Sequence, residues 1–175
     1  GVNKIKLKKK LNILFFSTGN EISNSNKIPS WKVRNSNSSY IESLNNNLTF
    51  SFKNGGVLKD HHKKIFKSKI QKVLKSKIDI IITSGAVSAG KFDFIPDVIK
   101  EFKISHYFKS VMIRPGKPVL FAKINQKAIF GLPGNPISSA ACFRFFVYQF
   151  IENILNIQNE KPLKAVLKNS FKKKK

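Results

Sequence analysis

The sequence predicts an α/β fold of three layers, with a mainly parallel β-sheet between two layers of helices. Three short apolar segments, at residues 11–16, 78–82 and 128–132, are rich in branched or aromatic side chains, and each ends in a loop of small residues. Such segments are typical of strands that are buried on both faces of a parallel sheet. Helical patterns alternate with these strands, as they do in a layered α/β fold.

The first half of the chain is predicted element by element. Serine and asparagine residues predict a long loop at residues 23–39, from which a helix begins near Asn37. Alternating apolar residues predict a strand at residues 48–52. Asp60 stands where it can cap a basic helix that extends to about Ser76, with apolar residues on one face and lysines on the other.

The second half continues the same pattern. Residues 94–102 predict a helix, and two short strands are predicted at 111–113 and 119–121, on either side of a turn that contains glycine and two prolines. The last long element is a helix at residues 137–155. The whole chain is therefore expected to form one globular domain, for which 175 residues and a hydrophobic content of 41% suffice.

Composition narrows the class of protein. No run of eighteen apolar residues is present, and no signal-type stretch follows the basic start, so we expect a soluble cytosolic protein. Cys142 is the single cysteine and lies in an apolar segment, which indicates a buried structural thiol in a reducing compartment.

The net charge of +24 raises the question of a polyanionic partner. The lysines are spread over three regions, and neither interleaved aromatic residues nor a zinc-finger or RNP pattern accompanies them. We therefore expect neither a specific nucleic acid nor a membrane as partner. An anionic small molecule fits the charge.

Ligands of open α/β sheets bind beyond the carboxyl ends of the strands, so the loops after the three core strands are candidates for one shared site. In the third loop, Gly134 permits close approach, Asn135 is a candidate N-cap and Pro136 takes the first helical position. Pro133 precedes them. This loop is either an anion seat at a helix N-terminus or a tight strand-to-helix turn, and local chemistry favours neither.

The loop at residues 84–90 offers the hydroxyls of Ser84 and Ser88 and a series of backbone donors, which suits phosphate or pterin groups. Asp93 follows as a possible ligand of Mg²⁺ or as a helix N-cap, and local context favours the cap. Lys117 is held in a turn between Gly116 and Pro118, where it can meet an anion.

Two further carboxylates stand near strand ends. Glu21 and Asp60 are candidates for a general base or a metal ligand, and each can equally cap a helix. The histidines lack partners at zinc-ligand spacing, so no zinc site is expected.

Taken in order, five segments resemble the molybdopterin-binding domain of the MoeA/gephyrin family, the molybdopterin molybdenumtransferases. Ser17-Thr18-Gly19-Asn20-Glu21 resembles the family's S-T-G-[DN]-E, and residues 34–37 its R-D-S-N. Residues 83–93 resemble T-S-G-G-V-S-x-G-x-x-D, residues 114–118 K-P-G-K-P, and residues 131–136 G-L-P-G-N-P. Five motifs in the correct order are far more specific than any one of them.

The resemblance implies a MogA-like fold and an enzyme of molybdenum cofactor biosynthesis, which inserts molybdate into adenylylated molybdopterin with the help of Mg²⁺ and releases AMP. It implies Asp93, Ser88 and Glu21 as catalytic residues, with Asp93 also as the magnesium ligand. The substrate-binding residues that it implies are Ser17, Thr18, Gly19, Asn20, Lys59, Asp60, Ser84, Gly85, Val87, Gly90, Lys117, Pro118, Pro133, Gly134, Asn135 and Pro136.

The resemblance also implies how the chain is organised. Residues 1–10 are similar to the exit from a preceding domain, residues 11–157 to the α/β domain, and residues 158–175 to the start of a C-terminal β domain. It further implies a homodimer in the full-length protein, and the adenylyltransferase of the same pathway is a possible partner.

Four residues depart from the family pattern. Asn35 replaces an aspartate, Ala86 a glycine and Lys91 a commonly acidic residue, and Lys59 replaces an arginine. The alanine matters if its position needs a positive φ. Three alternatives therefore stay open: a Mog-type molybdopterin adenylyltransferase, a noncatalytic molybdopterin-binding scaffold, and a polyanion-binding protein whose affinity falls steeply with salt.

Overall fold

A computed structural model describes residues 3–5, 7–25, 27–45, 49–87, 93–157, 163–166 and 168. Its strands are β1 (Leu11–Thr18), β2 (Ile22–Ser23), β3 (Val33–Arg34), β4 (Phe50–Leu58), β5 (Ile80–Ser84), β6 (Ile104–Lys109), β7 (Leu120–Ile124) and β8 (Lys127–Leu132). Its helices are α1 (Ser36–Ser43), α2 (Lys63–Leu74), α3 (Phe94–Lys100), α4 (Pro136–Cys142), a π-helical segment (Phe143–Tyr148) and α5 (Gln149–Leu155).

The six-stranded sheet has the order β4-β1-β5-β8-β7-β6. The first four of these strands are parallel, whereas β7 runs antiparallel to both of its neighbours. One face of the sheet is covered by α1, α4, the π-helical segment and α5, and the other by α2 and α3. The predicted three-layer α/β/α fold with a mainly parallel sheet is thus confirmed.

The core strands are buried because alternate side chains enter different helical layers. In β5, Ile80 and Ile82 pack in the cluster beneath α4 and α5, and Ile81 packs against α2 and α3. All three side chains are at most 1% exposed. A strand buried on both faces has no position for a polar residue until it ends, and this is why the small polar residues gather at the carboxyl edge of the sheet.

Asp60 does not cap the basic helix, so this prediction is wrong. Helix α2 begins at Lys63, and His62 takes the N-cap position without a side-chain capping bond. The Asp60 carboxylate instead accepts a hydrogen bond from Asn20, 2.7 Å from its Nδ2. A contact between residues forty positions apart has no local signal in the sequence.

The strand predicted at residues 111–113 is also wrong. The strand beside β7 at this edge of the sheet is β6, which lies just before that segment, and only two of its six residues are even partly buried. An exposed edge strand lacks the apolar run that marks a core strand. The strand predicted at 48–52 is confirmed from Phe50 and continues through Gly55 and Gly56 to Leu58, whereas Leu48 lies outside the described residues.

The predicted long C-terminal helix is confirmed in its extent, but its middle is π-helical. Cys142, at the end of α4, is fully buried, as predicted for a structural thiol. Burial raises the pKa of this thiol to about 11, so it is protonated at neutral pH. Within the described residues, none of the helices combines the length and the apolar character that crossing a membrane requires.

Candidate ligand-binding site

A pocket of about 440 Å³ lies at the carboxyl edge of the parallel strands, where the loops after β1, β5 and β8 meet. Ten of the residues proposed from the sequence line it, namely Ser17, Thr18, Gly19, Glu21, Asp60, Ser84, Gly85, Asp93, Gly134 and Pro136. Three loops that are far apart in the chain therefore form one cavity, as expected for ligand sites of open α/β sheets.

The first wall joins the end of β1 to the start of α1. Ser17 Oγ donates to Asn35 Oδ1 at 2.6 Å, and the same oxygen accepts from the backbone N–H of Ser38 at 3.3 Å. Asn35 is thus the N-cap of α1 and also holds the Ser17 hydroxyl. An aspartate here would accept both bonds equally well, so asparagine keeps these two contacts, removes the charge and adds a donor, since its Nδ2 donates to Asn24 Oδ1 at 2.7 Å.

The second wall joins β1 to the loop after β5. Thr18 Oγ1 donates to the Ser84 carbonyl at 3.0 Å, and Gly85 N donates to the Leu132 carbonyl at 2.9 Å. Gly85 has a φ of +95°, and a Cβ there would lie 2.5 Å from Thr18 Oγ1. Glycine is therefore required at this position by both backbone and packing.

Asn37 ties the second wall to the third. Its Nδ2 donates to Ser84 Oγ and, at 2.9 Å, to the carbonyl oxygen of Gly134. One side chain of α1 thus joins the loop after β5 to the loop after β8. Asn37 belongs to the segment that resembles the family's R-D-S-N but was not predicted as a site residue, and its place in that motif was the available signal.

The third wall is the loop that leads into α4. Asn135 caps this helix by accepting from Ser138 N at 3.1 Å, and Pro136 is its first residue, as predicted. Among the residues that the structure describes, a Cβ on Gly134 would meet only Gly85 Cα, at an ordinary contact distance of 3.7 Å. The described residues therefore leave space for a side chain at Gly134, beside the pocket that both glycines line.

Three carboxylates lie at the pocket. The Glu21 carboxylate folds back over Gly19, where a Cβ would approach its oxygens to 2.5 Å. Asp60 is held by Asn20, and Asp93 occupies the N-cap position of α3 without making a side-chain capping bond. Among the described residues, no three His, Cys, Asp or Glu side chains form a group that could hold a metal ion.

The ammonium group of Lys59 donates hydrogen bonds to the backbone of the protein. Its Nζ donates to the carbonyl oxygens of Gly19, Asn20 and Ile22 at 3.2 to 3.4 Å, so it fixes the loop after β1. Its backbone N–H donates to His62 Nδ1 at 3.1 Å. Partial burial, followed by the nearby charges of His61 and Lys59, lowers the pKa of His62 and favours the neutral ring that accepts this bond.

The other proposed site residues lie outside the pocket lining or outside the described residues. The Val87 side chain is 2% exposed and packs in the core, where it leaves no room for a Cβ on Gly131. Lys117 is exposed in the turn before β7. Five more residues do not line the pocket, because they only neighbour lining residues or belong to other loops: Asn20, Lys59, Pro118, Pro133 and Asn135. The last two, Ser88 and Gly90, lie outside the described residues.

Several lining residues were not proposed as site residues from the sequence. They are Ile22, Val33, Arg34, Asn35, Ser36, Asn37 and Ala86. Ala86 has a φ of +51°, so the position where the family pattern has glycine does adopt the left-handed conformation that glycine favours.

The chain is similar to proteins of known family. Residues 15–153 match the family described as Probable molybdopterin binding domain. The molybdopterin molybdenumtransferase of Staphylococcus aureus (strain COL) is 33% identical over 177 residues, and that of Staphylococcus epidermidis is 29% identical. Both alignments cover 99% of this chain and 42% of the relative, so the chain spans less than half of the curated relatives it matches.

Solved structures agree with this assignment. The MoeA protein of Pyrococcus horikoshii superposes with a TM-score of 0.70 at 29% identity, and the match covers 84% of this chain and 36% of that chain. The Mog protein of Mycobacterium ulcerans, at 13% identity and a TM-score of 0.61, shares the fold over 85% of this chain and 99% of its own. The family match covers most of the chain and includes the loops that form the pocket, and the chain therefore belongs to the family of probable molybdopterin-binding domains.

Proposed function

We propose that this domain acts in molybdenum cofactor biosynthesis by binding adenylylated molybdopterin, into which molybdate is inserted with release of AMP. One observation carries the proposal: the loops after β1, β5 and β8, which carry three of the five motifs, meet in a single pocket at the carboxyl edge of the sheet. The names of the curated relatives support the transferase over the adenylyltransferase or a noncatalytic scaffold.

In this proposal the pyrophosphate link of the substrate lies over Gly85 and Gly134. The two glycines are neighbours, since a Cβ built on Gly134 would lie 3.7 Å from Gly85 Cα. Because glycine has no side chain, the ligand can approach the backbone at both positions. The hydroxyls of Ser17 and Ser84 now donate to Asn35 Oδ1 and to the Pro133 carbonyl, so each would turn its proton toward a phosphate when the substrate binds. The positive charge of the chain favours the approach of this polyanion.

Asp93 is proposed as the acid group that supports cleavage of the adenylate. It lines the pocket and stands at the N-cap position of α3. Mg²⁺ is commonly held by one or two carboxylates together with substrate phosphates, so Asp93 and the phosphates of the substrate would hold it in this proposal. Bound there, Mg²⁺ would neutralise charge on the phosphates. We also propose that Ser88, and other parts of a full-length homodimer, contribute to turnover.

The binding claim is tested by calorimetry of the chain with adenylylated molybdopterin, at a salt concentration that suppresses nonspecific attraction to the basic surface. The matched variant is Gly134→Ala, whose added methyl group fits the protein but fills space in the pocket. We expect at least about a tenfold loss of affinity with an unchanged melting temperature, because a ligand that approaches the backbone has to move away. Equal affinity of Gly134→Ala and the parent chain would overturn the placement of the substrate.

Turnover is tested by AMP release in the presence of molybdate and magnesium. Asp93→Asn should reduce the rate by about a hundredfold or more if Asp93 transfers or holds a proton in the reaction. Asp97→Asn is the control, because Asp97 is an exposed carboxylate on the same helix that does not line the pocket. Equal rates in the two variants would remove Asp93 from the mechanism. Adenylylation of molybdopterin with ATP, without AMP release, would favour the adenylyltransferase instead.

A further inference from the structure

Helix α2 presents a strongly basic surface on the face of the sheet opposite α1 and α4. Residues 61–77 contain seven lysines and neither aspartate nor glutamate. The acidic residues that flank this segment are held elsewhere: Asp60 accepts a hydrogen bond from Asn20 at 2.7 Å, and Asp79 accepts one from the backbone N–H of Asn12 at 2.8 Å. The segment therefore carries a positive charge that no residue within it offsets.

Some of these lysines contact the rest of the domain. Lys67 Nζ lies 2.7 Å from one carboxylate oxygen of Glu101, which follows α3, and Lys63 Nζ lies 3.7 Å from the other. Lys69 Nζ lies 5.0 Å from the centre of the Phe16 ring in β1. These three lysines thus join α2 to its neighbours.

Three other lysines form a row on the outward side of the helix. Lys64, Ser68, Lys72 and Lys75 are separated by four, four and three residues, which places them on one side of α2. All four are exposed, and among the described residues no salt bridge involves these three lysines. Like charges at this spacing repel each other, so an anionic partner on this row, here called the basic stripe, relieves the repulsion.

An apolar side chain borders the basic stripe. Ile65 is 46% exposed, whereas Phe66 and Ile70 of the same helix are fully buried. It precedes Ser68 by three residues and Lys72 by seven, so it lies on the same side of α2 as the stripe. A partner that covers the stripe therefore also removes apolar surface from water.

These features distinguish between classes of anionic partner. A membrane-binding helix inserts its apolar face, but that face of α2 packs in the core of the domain. Single-stranded nucleic acids stack on aromatic side chains, and the basic stripe contains none. Duplex DNA binds lysines through its phosphates, which gain nothing from Ile65. An acidic protein segment can place carboxylates on the lysines and an apolar side chain on the isoleucine.

We infer that the basic stripe and Ile65 form a docking surface for an acidic protein segment in which an apolar residue lies among carboxylates. None of the residues of this surface is among those that line the ligand-binding pocket. The inference is therefore independent of the proposed function, and a partner can dock on α2 while the pocket is occupied.

The inference is tested by fluorescence anisotropy of labelled probes with the whole chain. The probes are a short peptide with a leucine between pairs of glutamates, the same peptide with serine in place of leucine, a DNA duplex, and vesicles that contain phosphatidylserine. A stripe variant carries Lys64→Gln, Lys72→Gln and Lys75→Gln. A control variant removes the same charge from exposed positions on other parts of the chain, through Lys10→Gln, Lys53→Gln and Lys109→Gln.

At physiological ionic strength, where charges more than about 8 Å apart are largely screened, the stripe variant should bind the leucine peptide at least about fivefold more weakly. The control variant should change its affinity less than about twofold. Ile65→Ser should weaken the leucine peptide about threefold and leave the serine peptide unchanged, because only leucine makes the apolar contact. Ile154→Ser, at a residue of α5 that is similarly exposed at 44%, should affect neither peptide. Circular dichroism checks that each variant folds like the parent chain.

Each contrary outcome decides against the inference. If the stripe and control variants lose affinity alike, the attraction depends only on net charge. If Ile65→Ser weakens both peptides equally or neither of them, the isoleucine is not part of a docking surface. If DNA or the vesicles bind more tightly than the leucine peptide and lose affinity in the stripe variant, the surface serves a nucleic acid or a membrane and the assignment to a protein segment is wrong.

Discussion

Asn37 offers the sharpest test of how the site is built. Asn37→Ala removes the two hydrogen bonds that join Ser84 Oγ and the Gly134 carbonyl to α1. At a net value of about 1 kcal/mol for each bond, the free energy of unfolding should fall by about 2 kcal/mol. Alanine favours a helix by about 0.5 kcal/mol over asparagine, which reduces the expected loss to about 1.5 kcal/mol. For a domain of this size the melting temperature should then fall by about 3 to 6 °C.

The assay is unfolding in urea and by heat, followed by circular dichroism, with two companion variants. Ser39→Ala changes an exposed residue of the same helix and should alter the free energy of unfolding by less than about 0.5 kcal/mol. Asn37→Asp keeps the shape but replaces the donating nitrogen by an oxygen that faces the Gly134 carbonyl, so it should destabilise the domain at least as much as alanine.

The same variant reports on the pocket. If Asn37 holds two walls of the pocket in place, Asn37→Ala should bind adenylylated molybdopterin at least about tenfold more weakly, because binding then has to order both loops. The opposite result would be that Asn37→Ala has the same melting temperature as Ser39→Ala and binds the ligand as tightly as the parent chain. That result would mean that the two loops hold their positions without the side chain between them.

Three further changes test the packing around the site. Ala86→Gly relieves a left-handed residue of φ +51° and should stabilise the domain by about 0.5 kcal/mol, measured by urea unfolding. A loss of stability would show that the contacts of the partly buried methyl group matter more. Gly131→Ala places a methyl group 2.5 Å from Val87 Cγ1 and should lower the free energy of unfolding by about 1 to 3 kcal/mol. Adding Val87→Ala should recover part of this loss, whereas strictly additive effects of the two substitutions would argue against the clash. The pKa of Cys142 is raised from 9.0 to about 11, so between these pH values the native state keeps a proton that the unfolded chain loses. The free energy of unfolding should therefore fall by about 2 kcal/mol between pH 9 and 11, and Cys142→Ala should lack this fall. Equal pH profiles of the two proteins would contradict the prediction.

The layered fold could be predicted because its decisive signals are local. Each core strand is a short run of branched or aromatic residues that stops at small polar ones, and the cap of α4 consists of adjacent residues, Asn135 and Pro136. Edge strand β6 lacked such a signal, since its residues are mostly exposed. The cap assigned to Asp60 failed because a partner forty residues away, Asn20, takes its carboxylate.

The pocket likewise has features that local sequence predicts and features that depend on tertiary contacts. The sequence by itself determined which loops carry small polar residues at strand ends, and so which segments meet, because parallel strands bring their carboxyl ends to one edge of the sheet. Only the tertiary structure decided how those loops are held: that Asn37 bridges two of them, that Lys59 binds loop carbonyls, and that Val87 packs inside. These roles depend on the distances between side chains that the fold brings together, and no spacing along the chain encodes such distances.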